Sequence, residues 1–431
     1  MNWFNRQLYR LLKIIVKTVL WIYYPKTGVL NRKRLKFEQP TIIACSHPNT
    51  MMDPLHVASR TKNPVFFLAN ADLFASKFGN WFYSNFFCIP IRRRTDNKGK
   101  HVKNEDSFSR VIEFLYNGGC LWVAPEGGSY WGRHWMKLKT GTARMGLMTE
   151  TAHDFQANVQ ILPVGLNYEA ANLFRTSLVI NVGEGIQVKD YKSEHEENPR
   201  KAIYQLTKDL EERLQALEIS PADEEQDYFL SQLEEMLKNE FPISTKAAFH
   251  RTEKVLIDLK NADNQLLINQ LDEYTDLIKK YKLSDRAVMK FAKLPLFMKL
   301  LDVLWIIAGF PVFLYGALNN LLSSYLPYYV TNSRQPYIGY RATVKMVIGL
   351  ITFPLFYTLQ TVFVHWYFQS TWITIVYLLS LIPTGLFAWH YAQWMRLVIK
   401  RLRMYRLAEK MQTKILGLRV SILGIVKPLE G

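Results

Sequence analysis

The sequence predicts an α/β fold: a mixed sheet flanked by helices, with an N-terminal interfacial helix, a helical insertion and a C-terminal transmembrane hairpin. Between residues 35 and 190, short β-type runs such as PTIIACS and CLWVAPE alternate with helical stretches, which is typical of α/β layers. Residues 191–295 instead show the apolar periodicity of amphipathic helices. The last third contains two apolar stretches of about 20 residues, the length of a membrane-spanning helix.

Charge and composition narrow the class of partner. The 431 residues carry a formal net charge of +17, which indicates an anionic partner such as a nucleic acid, a membrane surface or a phosphorylated small molecule. Because the basic residues flank apolar segments and form no continuous face, we expect a lipid bilayer as partner and no nucleic acid. The three cysteines have neither paired nor metal-ligand spacing, which predicts a reducing compartment, no disulfide and no metal site.

Residues 1–30 are predicted to form an amphipathic helix at the membrane interface. Bases recur every three or four residues along one side of this helix, at Arg6, Arg10, Lys13 and Lys17. The opposite side is aliphatic and aromatic, as in helices that lie in the interfacial plane. A helix packed on the protein's own core is the alternative. The bases are mixed among the apolar residues, so no cleavable signal peptide is predicted.

The predicted domains after this helix are residues 31–190, which carry the chemistry, a helical region at 191–295, and a membrane-associated region at 296–431. Residues 346–366 and 371–391 contain no Lys, Arg, Asp or Glu and are predicted to form a transmembrane hairpin. Bases precede and follow the hairpin, so the positive-inside rule predicts that both of its ends and the domain carrying the chemistry are cytoplasmic. Two buried helices of a soluble protein are the alternative.

Residues 296–318 are apolar but interrupted. The interrupting residues are Lys299, Asp302, Gly309 and Pro311. We expect a re-entrant or interfacial segment here in place of a simple crossing of the bilayer.

The first of four motifs is SHPNTMMD, which follows the β-type run TIIAC. His47 and Asp53 are six residues apart, so they cannot share one face of a straight helix and need a loop to meet. A carboxylate that contacts the imidazole can fix its tautomer and leave the other ring nitrogen as a general base. Asp53 as the cap of the next helix is the alternative that this stretch leaves open. Cys45 is expected to be a buried small hydrophobe and no nucleophile.

The second motif, IPIRRR, ends a predicted strand with Arg92, Arg93 and Arg94. A guanidinium group here could bind a phosphate through two hydrogen bonds. Side chains alternate in direction along a strand, so not all three arginines can face one ligand. A solvated basic loop that touches lipid headgroups is the alternative.

The third motif is PEGGS, which ends the β-type run CLWVA. Glu126 offers an acceptor for a hydroxyl group. The backbone at Gly127 and Gly128 can approach a ligand closely and present amide hydrogens to it. An ordinary tight turn is the alternative. Further positive charge follows at Arg133, Lys137 and Lys139, of which Arg133 and Lys137 are the candidate site residues.

The fourth motif, ILPVGLNY, by itself predicts only a core strand. In this order, over roughly residues 40–190, the four motifs closely resemble those of the glycerolipid acyltransferase family, which includes glycerol-3-phosphate and lysophosphatidic acid acyltransferases. The resemblance implies that family's fold, His47 as general base and Asp53 as its orienting partner. It also implies a set of residues around a glycerol phosphate acceptor, namely Arg93, Glu126, Gly127 and Gly128 as contacts and Pro163 as a residue that shapes the pocket.

Two departures from the commonest family pattern resemble the branch of eukaryotic-type enzymes that acylate glycerol 3-phosphate or dihydroxyacetone phosphate. Five residues separate His47 from Asp53 where four are usual, and Ser129 stands where the third motif usually has an arginine. The missing arginine leaves several basic residues as alternatives for binding the phosphate, namely Arg92, Arg94, Arg133 and Arg175.

The resemblance implies transfer of an acyl group from a thioester, acyl-CoA or acyl-carrier protein, to the hydroxyl of glycerol 3-phosphate or dihydroxyacetone phosphate. It implies no cofactor, no metal and no covalent intermediate. A 1-acylglycerol 3-phosphate or another lysophospholipid is the alternative acceptor. A membrane scaffold without catalytic activity is the alternative from another class of protein.

Overall fold

The computed structural model describes residues 3–70, 75–77, 80–81, 83, 87–91, 105–133, 135–261, 264–293 and 295–426. By its internal contacts the chain divides into two compact units. Unit 1 consists of residues 1–220 and 337–343, and unit 2 of residues 221–336 and 344–431.

Unit 1 contains an eight-stranded mixed sheet. Its strands are β1 (Lys26–Leu30), β2 (Thr41–Cys45), β3 (Val65–Asn70), β4 (Cys88–Ile91), β5 (Cys120–Val123), β6 (Gln160–Tyr168), β7 (Ser177–Val182) and β8 (Ile186–Gln187). The order across the sheet is β1-β7-β6-β2-β5-β3-β4, with β8 beside β6. Strands β2 to β6 run parallel, and β7 and β8 are antiparallel to β6. The predicted α/β fold class with a mixed sheet is confirmed.

The centre of the sheet positions two of the motifs side by side. Every residue of β2 and of β5 is buried, which explains why both strands read as continuous apolar runs without alternation. The two strands pair in parallel, with Thr41 opposite Cys120. Their carboxyl ends therefore lie at one edge of the sheet, where His47 follows β2 and Glu126 follows β5.

The helices of unit 1 are α1 (Trp3–Tyr23), α2 (Met52–Ala58), α3 (Glu105–Tyr116), α4 (Gly141–Thr151), α5 (Lys192–Glu197) and α6 (Pro199–Gln215). Helix α6 begins where Asn198 accepts hydrogen bonds from the amides of Arg200 and Lys201, as an N-cap does. Its Leu206, Leu210 and Leu214 are buried in the same core as β2 and β5. Because this apolar stripe packs on the sheet, unit 1 extends to Ser220, whereas the sequence placed the boundary at residue 190.

Helix α1 is anchored to unit 1 on one side and exposed on the other. The Tyr9 hydroxyl accepts a hydrogen bond from the Val65 amide, and the Lys13 ammonium donates to the Thr61 carbonyl. One base of the predicted stripe therefore faces the protein. In α1, the large apolar residues that are more than half exposed are Trp3, Phe4, Leu11, Ile14 and Trp21.

Unit 2 is built from helices α7 (Glu224–Glu240), α8 (Thr245–Asn261), α9 (Gln265–Lys280), α10 (Asp285–Lys293), α11 (Leu296–Arg334), α12 (Arg341–Phe368), α13 (Thr371–Tyr405) and α14 (Glu409–Val426). The first three residues of α12 belong to unit 1. Within the described residues, three segments are long and apolar enough to cross a bilayer, namely Leu301–Arg334, Ile338–Phe368 and Thr371–Tyr405. The two predicted spans lie in the second and third of these.

The segment at 296–318, expected to be re-entrant or interfacial, is instead the first part of one continuous helix, α11. Its charged residue Asp302 is paired with Arg401 of α13, so the interruption is neutralised within unit 2. Gly316 allows the two helices to approach closely, because a Cβ there would lie 2.1 Å from the Thr384 carbonyl oxygen. Asn320 donates to the Leu381 carbonyl from the same side.

A buried arginine with two carboxylate partners connects helices α7, α10 and α14 of unit 2. The Arg419 guanidinium on α14 donates to Asp285 at 2.7 Å and to Glu240 at 2.8 Å, and only 5% of Arg419 is exposed. Asp285 also accepts hydrogen bonds from the Tyr274 hydroxyl and the Asn239 amide.

Replacement of Arg419 by methionine should therefore destabilise unit 2 by about 3–5 kcal/mol, because it leaves the buried Asp285 carboxylate without its cation. Unfolding of the detergent-solubilised protein, followed by circular dichroism, measures the change. Lys414→Met removes an exposed ion pair with Glu273 from the same helix and should cost less than about 1 kcal/mol. Equal effects of the two substitutions would contradict the importance of the buried pair.

Candidate active site

The first motif brings its histidine and aspartate together. Asp53 Oδ2 lies 3.0 Å from His47 Nδ1, across a loop in which Thr50 adopts a left-handed φ of 43°. The loop closes on itself where the Met52 amide donates to the Asn49 carbonyl. The loop thus brings His47 and Asp53 together although they are six residues apart, which a straight helix could not do.

The Asp53 carboxylate is completely buried and accepts two further hydrogen bonds. The donors are the Asn49 amide at 2.7 Å and the Tyr168 hydroxyl at 2.7 Å. The residue preceding α2 is Met51, and no side chain caps that helix. The carboxylate is therefore engaged by the histidine loop and by β6, and the capping alternative does not describe it.

The orientation of the imidazole follows from its partner. A carboxylate accepts hydrogen bonds, so Nδ1 carries the proton that faces Asp53, and Nε2 is left as an acceptor. The ring packs edge-to-face against Trp122, with 5.0 Å between ring centroids, and 18% of the His47 side chain is exposed. His47 is thus held on one side and open on the other, the arrangement that a general base requires.

The third motif forms a turn directly beside His47. Glu126 is buried and accepts a hydrogen bond from the His47 amide, while the Tyr130 amide donates to the His47 carbonyl. Gly127 has a φ of +77°, which favours glycine. Burial, followed by the nearby carboxylates of Glu218 and Asp53, raises the pKa of Glu126 to about 8. Protonated Glu126 can donate a hydrogen bond at neutral pH, and ionised Glu126 can only accept one.

A third carboxyl group lies behind the first motif, and the sequence analysis missed it. The Glu218 carboxyl group lies near the Ser46 hydroxyl and the Leu166 amide, and burial is the main cause that raises its pKa to about 7. Its Oε1 atom is buried and has no hydrogen-bond partner among the described residues. Glu218 follows a helix without any local motif, so only its contact with Ser46 connects it to the site.

The fourth motif contacts the residues on either side of Glu218. A Cβ at Gly165 would lie 2.6 Å from the Leu217 carbonyl oxygen. The backbone at Leu217 can therefore approach β6 closely only because Gly165 has no side chain. Asn167 holds the same turn from both sides, donating to the Leu217 carbonyl and accepting from the Ile219 amide. The glycine and asparagine of ILPVGLNY therefore place Glu218 next to the first motif, beyond the core-strand role that the sequence predicted.

Two other residues missed by the sequence analysis support the histidine loop. Tyr168, the last residue of the fourth motif, donates to Asp53, and Asn49 donates to the Tyr24 hydroxyl and the Ala171 carbonyl. A polar aromatic residue at the end of an otherwise apolar strand was the available signal for Tyr168.

The predicted phosphate ligands are distributed over different places. Arg92, Arg93 and Arg94 lie outside the described residues. The Arg133 carbonyl accepts a hydrogen bond from Ser220, and Lys137 is exposed. The Arg175 guanidinium lies over the Phe174 ring, and its amide donates to the Tyr23 carbonyl at the end of α1.

The remaining predicted residues lie in or near the third motif or within the sheet. Gly128 is followed by Ser129, whose hydroxyl is buried without a partner among the described residues. Pro163 is buried in β6 opposite Ala44. Lys139, missed as a site residue, lies over the glycine turn, because a Cβ at Gly127 would be 2.7 Å from its Nζ atom.

A nucleophilic role for Cys45 has little support at this site. Cys45 is fully buried, and burial raises the pKa of its thiol well above the ordinary value, which opposes a nucleophilic role. Within the described part of the chain, no group of three or more His, Cys, Asp or Glu side chains is arranged to hold a metal ion.

The raised pKa values of Glu126 and Glu218 predict a loss of stability with rising pH. Between about pH 4.5 and 8, the folded protein retains protons that the unfolded chain has released, so stability falls through this window and levels off above it. Glu126→Gln should flatten this dependence. The unfolding midpoint measured in detergent from pH 5 to 9 tests it, with Glu184→Gln, an exposed glutamate of unit 1, as control. Parallel slopes for wild type and Glu126→Gln would contradict the prediction.

Comparisons with known proteins show similarity to acyltransferases. Residues 26–167 match the family model described as Acyltransferase. Over 110 residues the chain is 33% identical to Glycerol-3-phosphate O-acyltransferase 2 of Saccharomyces cerevisiae, covering 25% of this chain and 15% of that protein. Over 121 residues it is 31% identical to Glycerol-3-phosphate O-acyltransferase 1 of the same organism, covering 27% of this chain and 16% of that protein. The chain thus spans only 15–16% of the length of these curated relatives.

Among solved structures, the chain is similar to the 1-acyl-sn-glycerophosphate (LPA) acyltransferase PlsC from Thermotoga maritima. The identity is 17% and the TM-score 0.35, over 49% of this chain and 81% of that one. The family match contains the first, second and third motifs and most of the fourth. Residues 26–167 are therefore similar to an acyltransferase domain, and the family match together with the two yeast relatives supports a likeness to the glycerolipid acyltransferase family.

Proposed function

We propose that the protein transfers a fatty acyl group from a thioester donor to the hydroxyl group of glycerol 3-phosphate or dihydroxyacetone phosphate. The observation that carries the proposal is the His47–Asp53 pair, in which a buried carboxylate holds Nδ1 while Nε2 is left as an acceptor. The two yeast relatives are named as glycerol-3-phosphate O-acyltransferases, which favours this acceptor over a lysophospholipid. The donor is acyl-CoA or acyl-carrier protein.

His47 acts as the general base in this proposal. Nε2 takes the proton of the acceptor hydroxyl as its oxygen attacks the thioester carbonyl carbon. The Asp53 carboxylate stabilises the imidazolium that forms. The carbon–sulfur bond then breaks, and the thiolate leaves with the proton returned by His47. The products are an ester and a free thiol, so the reaction needs no covalent enzyme intermediate.

The third motif binds the acceptor in this proposal. Glu126 lies beside the His47 amide, from which it can hydrogen-bond an acceptor hydroxyl. Lys139 lies over the Gly127 turn and adds positive charge near the place where the thioester oxygen gains negative charge.

We also propose that unit 1 lies on the cytoplasmic side of the membrane. The hairpin formed by α12 and α13 is flanked by bases at both ends, with Arg341 and Lys345 before it and Arg396, Lys400 and Arg403 towards its end. Cytoplasmic loops carry such an excess of Lys and Arg.

His47→Ala should lower the turnover number by about 10²- to 10⁴-fold, because the hydroxyl proton loses its acceptor. Membranes containing the protein are given a labelled acyl donor with glycerol 3-phosphate, dihydroxyacetone phosphate or lysophosphatidate in parallel. His250→Ala is the control, since His250 is exposed on α8 and contacts Glu253.

Three results would contradict the proposal. Turnover with lysophospholipids alone would show that the acceptor is wrong. Wild-type turnover that survives in His47→Ala would show that the base is wrong. A scaffold without catalytic activity would show no turnover in any arm, while membrane association stayed the same in wild type and His47→Ala.

A further inference from the structure

Residues 337–343, hereafter the strap, lie in the chain between the apolar helices α11 and α12 but belong to unit 1 by their contacts. The strap contains a short 3₁₀ helix, Ile338–Tyr340, followed by the first three residues of α12. It is separated from the four motifs by more than 160 residues of sequence. None of the sequence motifs predicted that this segment would reach the site.

The strap contacts the loop that carries His47 and Asp53. The Thr50 hydroxyl lies 2.6 Å from the Thr343 hydroxyl and donates to the Gly339 carbonyl at 3.3 Å. A Cβ at Gly339 would lie 3.1 Å from the Pro48 carbonyl oxygen, so the two backbones meet without space for a side chain. Thr50 has a left-handed φ, and the strap therefore holds the loop where its backbone is strained.

The strap also contacts the segment that directly follows the third motif. The Tyr337 hydroxyl accepts a hydrogen bond of 2.7 Å from the Trp131 amide. Trp131 is two residues after Ser129, which stands where the family motif usually has an arginine and whose hydroxyl is buried without a partner among the described residues. The strap thus joins the histidine loop to the glycine turn.

Arg341 lies in the middle of the strap and has no counter-ion in the described part of the chain. Its Nε atom is buried and finds no hydrogen-bond partner there. By contrast, Arg34 is paired with Glu184 and Arg213 is paired with Asp209. A half-buried guanidinium without an acceptor is costly unless a ligand supplies one. A phosphate monoester matches the planar donors of a guanidinium group.

The carboxylate beside His47 also favours a cation in the site. Asp53 lies 3.0 Å from His47 Nδ1, and an ionised carboxylate repels an incoming phosphate. Arg341 is two residues from both Gly339 and Thr343, which contact the histidine loop.

We propose that Arg341 binds the phosphate group of the acceptor, in place of the arginine that the third motif lacks. This inference rests on the proposed function, in which the acceptor is a phosphate monoester. The Ser129 hydroxyl donates a further hydrogen bond to the same phosphate. The acceptor is then recognised by a residue of the strap, and the binding site is incomplete without residues 337–343.

Steady-state kinetics of the full-length protein in membranes test the role of Arg341. Arg341→Ala should raise the KM for glycerol 3-phosphate by about 10- to 100-fold, the effect of losing hydrogen bonds between charged groups. The turnover number and the KM for the acyl donor should change by less than about threefold. Arg341→Lys keeps the charge without the planar donors and should raise the KM less than the alanine variant does.

Inhibition by inorganic phosphate gives a second readout. Phosphate should compete with the acceptor in the wild type and should inhibit Arg341→Ala about 10-fold more weakly. Arg334→Ala is the control, because Arg334 is an exposed base at the end of α11 in unit 2, and it should behave as the wild type. The unfolding midpoint of each variant in detergent shows whether the fold is retained.

The outcomes separate this inference from the proposed function. If the wild type turns over glycerol 3-phosphate and Arg341→Ala has an unchanged KM, the inference is wrong and the proposed function stands. A lower turnover number with unchanged KM would assign the strap a structural role and would also overturn the inference. If the wild type uses only lysophosphatidate, the proposed acceptor is wrong, and the KM of Arg341→Ala for that phosphate monoester decides the inference.

Discussion

The structure of the site depends on how one buried charge is satisfied. Asp53 is completely enclosed, and a carboxylate in that position is stable only with hydrogen-bond donors around it. The donors come from three places in the chain, since His47 follows β2, Asn49 lies in the loop and Tyr168 ends β6. The need to satisfy this carboxylate therefore determines the path of the loop and the orientation of the imidazole. Asn49 extends the network to Tyr24 at the end of α1.

The concentration of carboxyl groups around His47 has an electrostatic consequence. Glu126 and Glu218 are enclosed close to Asp53, and their pKa values rise to about 8 and about 7. At neutral pH they are partly protonated, so the site carries less negative charge than its composition suggests. This matters for an acceptor that is itself an anion. It also allows Glu126 to act as a hydrogen-bond donor as well as an acceptor.

Polar groups in the long apolar helices of unit 2 also need hydrogen-bond or ion-pair partners, as Asp53 does. Asp302 pairs with Arg401, and Asn320 accepts from the Tyr357 hydroxyl while donating to the Leu381 carbonyl. Without water, such groups have to be satisfied by neighbouring helices. Asp302 and Asn320 therefore make contacts between helices, and α11 is continuous through both residues.

The fold class and the four motifs could be predicted from the residue pattern, because strand runs, helical periodicity and turn residues are local features. The structure adds that parallel pairing of β2 and β5 brings His47 and Glu126 to one edge of the sheet. The groups that satisfy Asp53, the position of Glu218 behind the first motif and the continuity of α11 could not be predicted in this way. The reason is distance along the chain. Tyr168 and Asp53 are 115 residues apart, and Thr50 and Thr343 are 293 apart; such pairs meet through packing, which no local pattern encodes.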